Sequence, residues 1–325
     1  METAAMNSRH VHAGLLSVFA VLLIFYSMNS SDGMVGLAGM MRTAEGRQWH
    51  RYSGRSRKAG IGRMQLQEMD IVEESNRDVA PKYKLSTCVV QKSMSTVMTA
   101  IFCYLFDEDG FQQAGRELLK ETKRTRFCEN RNEARSMRSL RWHFGIRKED
   151  DWIHTMVTRD PVDRFLFGFV DKCIKMPLPG EYCNGCKANM TCFIIKEYER
   201  MVSEVKKDRF TRTFEDRHFF PQNWRCELSK HMEHSRFIRY SSNATGTLLN
   251  DLFDILTQQK IGNSTLEFIR NELTSGRTPH STVESYARNF LEERLRSSDF
   301  LMEYIIRMFY HDFKILLYDF PLGFE

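Results

Sequence analysis

Two short segments carry the residues best suited to chemistry. The first, 88–96, reads Cys88-Val89-Val90-Gln91-Lys92-Ser93-Met94-Ser95-Thr96, and the second, 158–165, reads Thr158-Arg159-Asp160-Pro161-Val162-Asp163-Arg164-Phe165. Each reads as a strand end, a tight turn and a helix start, with a fixed cation at the turn. A strand that delivers Lys-Ser-x-Ser-Thr into a helix offers unpaired backbone N–H groups, hydroxyls and an ammonium to one anion. At the second helix start Asp160 can act as N-cap, Pro161 suits the first helical position, and Asp163 sits in the positive first turn. Two such turns can hold the two phosphate ends of one nucleotide.

The first turn is not the P-loop of nucleoside-triphosphate enzymes. That motif needs glycine where Ser86 and Gln91 stand, so this loop cannot wrap a triphosphate in the same way. With 325 residues the chain makes one large domain or at most two. A net charge of +5 argues against a dedicated nucleic-acid binder and only weakly for an anionic partner.

Hydrophobic periodicity gives the elements that must position the turns. Segments 83–90 and 152–158 read as buried strands entering the two turns, and 236–240 as a short third strand. Segment 97–106 reads as a buried helix, and 111–127 and 132–144 as basic amphipathic helical stretches. Segments 193–206, 247–259 and 282–318 are again helical. Strands alternating with helices imply an α/β fold with a largely parallel sheet and helices on both faces. Ligands of such sheets bind beyond the carboxyl ends of the strands, where both turns lie. On the helix from Pro161, Val162, Phe165, Leu166, Phe169 and Val170 form the core-facing stripe. Phe167 falls off it, with Asp163, Arg164 and Asp171.

The amino terminus speaks to compartment. Residues 13–28 (AGLLSVFAVLLIFYSM) are an uncharged apolar run behind Arg9, His10 and His12. The run is a little short for a bilayer, which suits a thin early secretory membrane. It reads as a signal-anchor, with 1–12 as cytoplasmic tail and the rest lumenal. A cleaved signal peptide is the alternative, since Ser27, Ser30 and Ser31 follow, though no clean A-x-A site does. Residues 29–80, with scattered arginines among Gly and Ser, read as a flexible stem; a solvated tether suits them better than a polyanion site. The folded domain is then 81–325.

Glycosylation acceptors at Asn29, Asn189, Asn243 and Asn263 fit an exported chain. So do eight cysteines, four of them clustered at Cys173, Cys183, Cys186 and Cys192. The cluster reads as a disulfide-stapled loop, with a zinc site at Cys183-x-x-Cys186 as the alternative. The pairing itself cannot be derived from the sequence.

The two turns together resemble the nucleotide site of Golgi carbohydrate sulfotransferases, above all the chondroitin and HNK-1 type enzymes and their nematode relatives. Lys92 and Thr96 match that family's first motif, a lysine followed four residues later by threonine. Arg159 to Arg164 match its Arg-Asp/Glu-Pro-x-Asp/Glu-Arg motif, and His218, Pro221 and Cys226 in HFFPQNWRC match its His-x-x-Pro pattern followed by cysteine. The likeness runs from about Lys82 to the carboxyl terminus. It implies a P-loop-like three-layer α/β fold with a central, mainly parallel sheet flanked by helices, after an N-terminal membrane anchor. It also implies transfer of a sulfuryl group from 3'-phosphoadenosine 5'-phosphosulfate to a glycan hydroxyl in the Golgi lumen, without a metal. The enzyme would be a single-pass type II membrane protein, or secreted if the anchor is cleaved, with no nucleic-acid partner.

On that likeness Lys92 would neutralise the leaving 5'-phosphate, with Thr96 and the helix N-terminus on its oxygens and Ser93 and Ser95 as supporting donors. Arg159 would grip the 3'-phosphate with its planar fork. The acceptor hydroxyl needs a base near neutral pH. His218 is the candidate, with His143 and His280 behind it; each is otherwise a structural or surface residue. One departure stands out. The family commonly places a phosphate-binding serine eight residues after the motif arginine, and here that position is Phe167. Losing one charge-assisted hydrogen bond costs roughly 1.5–3 kcal/mol, about ten- to hundredfold in affinity. A weak or inactive member that binds glycan or a partner is therefore the alternative, ahead of a disulfide-stapled adhesion module.

Overall fold

A computed structural model describes residues 76–122, 125–147, 151–175, 182–205, 213–240, 247–276 and 285–324. The expected tail, anchor and nearly all of the stem lie outside these residues, as do Asn29, Asn243 and His280. Among the described residues no helix is long and apolar enough to cross a membrane.

The strands are β1 (Arg77–Ala80), β2 (Leu85–Cys88), β3 (Glu133–Ala134), β4 (Ile153–Arg159) and β5 (Ser235–Tyr240), in the sheet order β3-β1-β2-β4-β5. β2, β4 and β5 pair in parallel, while β1 runs antiparallel to both β2 and β3. The described sheet is thus mostly parallel, with β1 alone reversed. It begins at Arg77, ahead of the expected start at Pro81. Pro81 opens a short 3₁₀ turn, and Lys84, at φ 49°, reverses the chain into β2. The charged pair Arg77 and Asp78 hid this strand from the hydrophobic pattern. Both are buried, Asp78 taking the Thr99 hydroxyl at 2.6 Å.

The helices are α1 (Ser95–Phe106), α2 (Glu108–Gln113), α3 (Met137–Phe144), α4 (Pro161–Phe169), α5 (Met190–Val205), α6 (Phe214–Phe219), α7 (Leu228–His231), α8 (Thr247–Gln258), α9 (Asn263–Ser275), α10 (Tyr286–Arg296) and α11 (Asp299–Ile315). Strand alternation sorts them onto the two faces of the sheet. Leu85, Val157 and Ile238 pack with α1, α8 and α9 on one face. Cys88, Met156 and Phe237 face the other, with Leu316 after α11. Beyond it, α4, α5, α10 and α11 share a large aromatic and aliphatic core. The expected three layers are present among the described residues.

The expected helix over 111–127 is the main departure. α2 ends at Gln113, and Gly115 follows in the left-handed region at φ +62°, where a side chain would be strained. The chain then runs irregularly, held by an Arg116–Glu121 pair and by Glu272, which accepts from the Leu118 N–H at 2.8 Å. All eight cysteines are paired: Cys88–Cys226, Cys103–Cys128, Cys173–Cys183 and Cys186–Cys192. The clustered four therefore form a stapled loop, and the zinc alternative falls because their sulfurs are bonded to one another.

Candidate functional site

The two cations of the sequence reading stand in one place. β2 delivers its chain into a loop in which Lys92 (φ 70°) and Met94 (φ 59°) are left-handed, and α1 then starts at Ser95. No side chain caps α1, so its first-turn amides, beside Ser95 and Thr96, are available to an anion. At the second turn Arg159 ends β4 and Asp160 caps α4, accepting from the Asp163 N–H at 2.8 Å, with Pro161 in the first helical turn. Arg159 Nη1 donates to the Lys92 carbonyl at 3.2 Å, tying the two turns together. The Phe167 ring lies beside both cations, 5.5 Å from Lys92 Nζ and 4.5 Å from the Arg159 guanidinium carbon.

A buried glutamine splints the same junction. Gln222 donates to the Arg159 carbonyl at 2.7 Å, while its Oε1 accepts from the Arg159 N–H at 2.9 Å and the Ser93 hydroxyl at 3.1 Å. Ser93 is thereby turned inward and buried, so its hydroxyl serves the loop instead of supporting a phosphate as expected. Ser95 and Thr96 are half-buried at the helix start.

Electrostatics at Lys92 set the tone of the site. Its ammonium pairs with Asp171, which also takes Lys172 at 3.1 Å. Burial pulls the Lys92 pKa down to about 8, Asp171 opposing and Lys172 and Arg164 adding to the fall. Burial would raise the Asp171 carboxyl, but Lys92 and Lys172 outweigh it and hold it below the usual range. Asp171 sits in a π-helical segment, Val170–Lys175, that continues α4.

Arg159 is itself held. Its Nε donates to Asp163 at 2.6 Å, and Asp163 also pairs with Arg288 from α10. Burial pushes the Asp163 carboxyl up, yet the two guanidiniums keep it below the usual range. Arg288 is buried, and its Nη1 has no hydrogen-bond partner among the described residues. That is an orphaned cationic donor beside the second turn.

His218 closes the site. Arg164 donates from Nε to the Gln91 carbonyl at 3.1 Å and from Nη2 to the His218 carbonyl at 3.3 Å, so it links the lysine loop to the end of α6. Only a protonated Nδ1 can donate to the Phe214 carbonyl, 2.7 Å away, which leaves Nε2 with the lone pair of a neutral ring. Burial, then the positive fields of Lys92 and Lys172, push the His218 pKa down to about 3. His143 is exposed on α3 and bonds back to the Ser139 carbonyl at 2.8 Å; no contact joins it to the two turns.

Sequence reasoning thus named Lys92, Arg159, Phe167 and His218, which the fold gathers. It missed Asp171, Lys172, Gln222 and Arg288 as members. Asp171 had a signal, being on the same off-stripe helix face as Phe167. Gln222 lay within the His-x-x-Pro segment, while Arg288 had none.

Two strand-to-helix turns meet at the carboxyl ends of parallel strands, each with a cation and the first with an uncapped helix start, an α/β arrangement suited to an anionic ligand. The chain belongs to the sulfotransferase family, whose model matches residues 75–319. An uncharacterized Caenorhabditis elegans protein is 48 % identical over 253 residues, 77 % of this chain and 71 % of that protein. The same organism's vep-2 is 44 % identical over 224 residues, covering 68 % of this chain and 70 % of its own. Its carbohydrate sulfotransferase chst-1 is 34 % identical over 252 residues, 74 % of each chain. No solved structure matches the chain significantly.

Proposed function

We propose that this protein transfers a sulfuryl group from 3'-phosphoadenosine 5'-phosphosulfate to a hydroxyl of a glycan, chondroitin-like or related. The convergence of Lys92 and Arg159 on one ring and one shared backbone contact carries this reading. The donor set fits such a ligand: an uncapped helix start, two cations at one junction, and the unpartnered Nη1 of Arg288.

The donor supplies the sulfuryl group and a phosphate leaving group. His218 Nε2 takes the acceptor hydroxyl's proton as that oxygen bonds to sulfur. Lys92 and the first-turn amides of α1, with Thr96, neutralise the negative charge that grows on the phosphate oxygen as its bond to sulfur breaks. Arg159, with Arg288, holds the 3'-phosphate end. The pKa of about 3 on His218 belongs to a site whose cations face no phosphate. Bound anions offset those cations and raise the imidazole toward a useful base strength.

Phe167 supports a second reading, a member with weak donor binding that acts through glycan or partner contacts. Its ring stands against both cations where a hydroxyl would serve a phosphate. A radiolabelled sulfate-transfer assay of the full-length protein against desulfated glycosaminoglycans tests the first reading. Transfer that is lost in Lys92→Ala supports it. Absence of transfer, together with no binding of adenosine 3',5'-bisphosphate, refutes it. Phe167→Ser should tighten bisphosphate binding about ten- to hundredfold if one missing hydroxyl is the defect. We place the protein in the Golgi membrane with this domain lumenal, in keeping with its four paired disulfides. Fractionation with Golgi markers and protease protection of the domain test that placement.

A further inference from the structure

The outer face of α3 has no part in the chemistry above, yet it is the most concentrated positive surface in its stretch of chain. Residues 135–147 hold Arg135, Arg138, Arg141 and Arg147 and no carboxylate, and all four arginines are exposed. Trp142 lies among them with 84 % of its surface exposed, which is unusual for the largest apolar side chain. Met137 and Leu140 bury the opposite face against Val79 and Ala134, so the helix is fixed in place and its basic face is turned outward. Ser136 caps the helix in a reciprocal box with Ser139.

This face is tied to the lysine loop through a short series of bonds. Glu227 accepts from the Met137 N–H at 2.7 Å, which anchors the start of α3. Its neighbour Cys226 is disulfide-bonded to Cys88, the last residue of β2 before the lysine loop. Cys226 and Glu227 are consecutive left-handed residues, at φ 57° and 55°, and make a tight corner between the two sites. The start of α3 is thereby fixed to the strand end that feeds the lysine loop.

We propose that the α3 face is an acceptor-chain subsite that takes the carboxylates of a uronate-bearing glycan on Arg138 and Arg141 and a sugar ring on Trp142. It rests on the glycan-transfer reading and extends it by assigning the surface that holds the acceptor chain away from the reacting sugar. Guanidinium forks match carboxylates in two parallel hydrogen bonds. The negative face of an indole attracts the weakly positive C–H face of a pyranose. Arg138 and Arg141 are three apart on the helix, hence on one side, with Trp142 adjoining. Lysines would bind an anion too, but four arginines with an exposed tryptophan suit planar recognition along a chain.

The test uses the full-length protein and three probes: desulfated chondroitin, the same chain with its carboxyl groups reduced, and anionic phosphatidylserine vesicles. Wild type should bind the first in a salt-sensitive way and the second much less. Arg138→Ser with Arg141→Ser should weaken chain binding about three- to thirtyfold, as expected for two exposed ion pairs. The same variant should raise the acceptor KM with kcat and bisphosphate binding unchanged, and that binding also reports an intact fold. Trp142→Ala should weaken the chain without changing its salt dependence. Equal binding by the arginine variant and wild type overturns the proposal, as does equal binding of the carboxyl-reduced chain. So does a variant that loses only anionic phosphatidylserine vesicles, which would make the face a membrane contact. If the variants lose the chain while wild type transfers no sulfate, the subsite stands and the transferase reading falls.

Discussion

Replacing Lys92 by methionine separates chemistry from stability. The Lys92 ammonium is buried, and its pKa of about 8 lies well below the unperturbed 10.5. Charging it in the fold is therefore disfavoured by on the order of 3 kcal/mol at neutral pH. The usual objection is that removing one member of a buried pair strands the other. Here Asp171 keeps Lys172 at 3.1 Å, so its carboxylate is not orphaned. Methionine nearly matches the lysine stem in volume and leaves no large cavity. The variant should lose transfer altogether yet unfold no more easily than wild type, gaining up to the stated energy. For a domain of this size that is about 2–4 °C in Tm per kcal/mol. The sign with pH is fixed by the lowered pKa. The penalty on wild type is complete below about pH 8 and is relieved as pH rises toward 10.5, so the gap between the proteins should close over that range. Paired melting curves at pH 7 and pH 10, with a transfer assay at pH 7, decide it. A variant that melts well below wild type, or that still transfers sulfate, refutes the reasoning.

Arg159→Lys keeps the charge but loses the fork that bridges Asp163 and the Lys92 carbonyl, so the donor KM should rise about tenfold or more; an unchanged KM would make Arg159 purely structural. Arg288→Met removes the orphaned Nη1 and should weaken adenosine 3',5'-bisphosphate binding several-fold by calorimetry, whereas a purely structural arginine would lower Tm and leave affinity alone. His218→Gln should lower kcat about a hundredfold with little change in donor affinity. With no donor bound its pKa lies at about 3, so the acid limb of kcat/KM for the donor, which reports the free enzyme, should fall below the ordinary histidine range, while that of kcat, with the donor bound, should lie higher. Limbs that coincide would remove His218 as the base.

Much of the site was legible because its parts are local. Asp160, Pro161 and Asp163 announce a helix start through capping and dipole chemistry that spans only four residues, and the structure builds that start there. The stripe on α4 likewise declares which residues meet the core. Local cues also misled where a glycine or a buried charge intervened. Gly115 stops the helix that the basic 111–127 pattern suggests, and Arg77 and Asp78 conceal a buried strand.

The sequence alone therefore determined the two turns, the cation at each, and the fold class that sets them side by side. Only the tertiary structure decided that Asp171 would hold Lys92, that Gln222 would splint both turns, and that Arg288 would share Asp163 with Arg159. It also decided the pairing of Cys88 with Cys226, 138 residues apart. The reason is one of range. Caps, turns and periodicity are written within a few residues, whereas a buried charge finds its partner only when packed faces bring distant segments together. In the low dielectric between those faces, that partner then sets how strongly each group is charged.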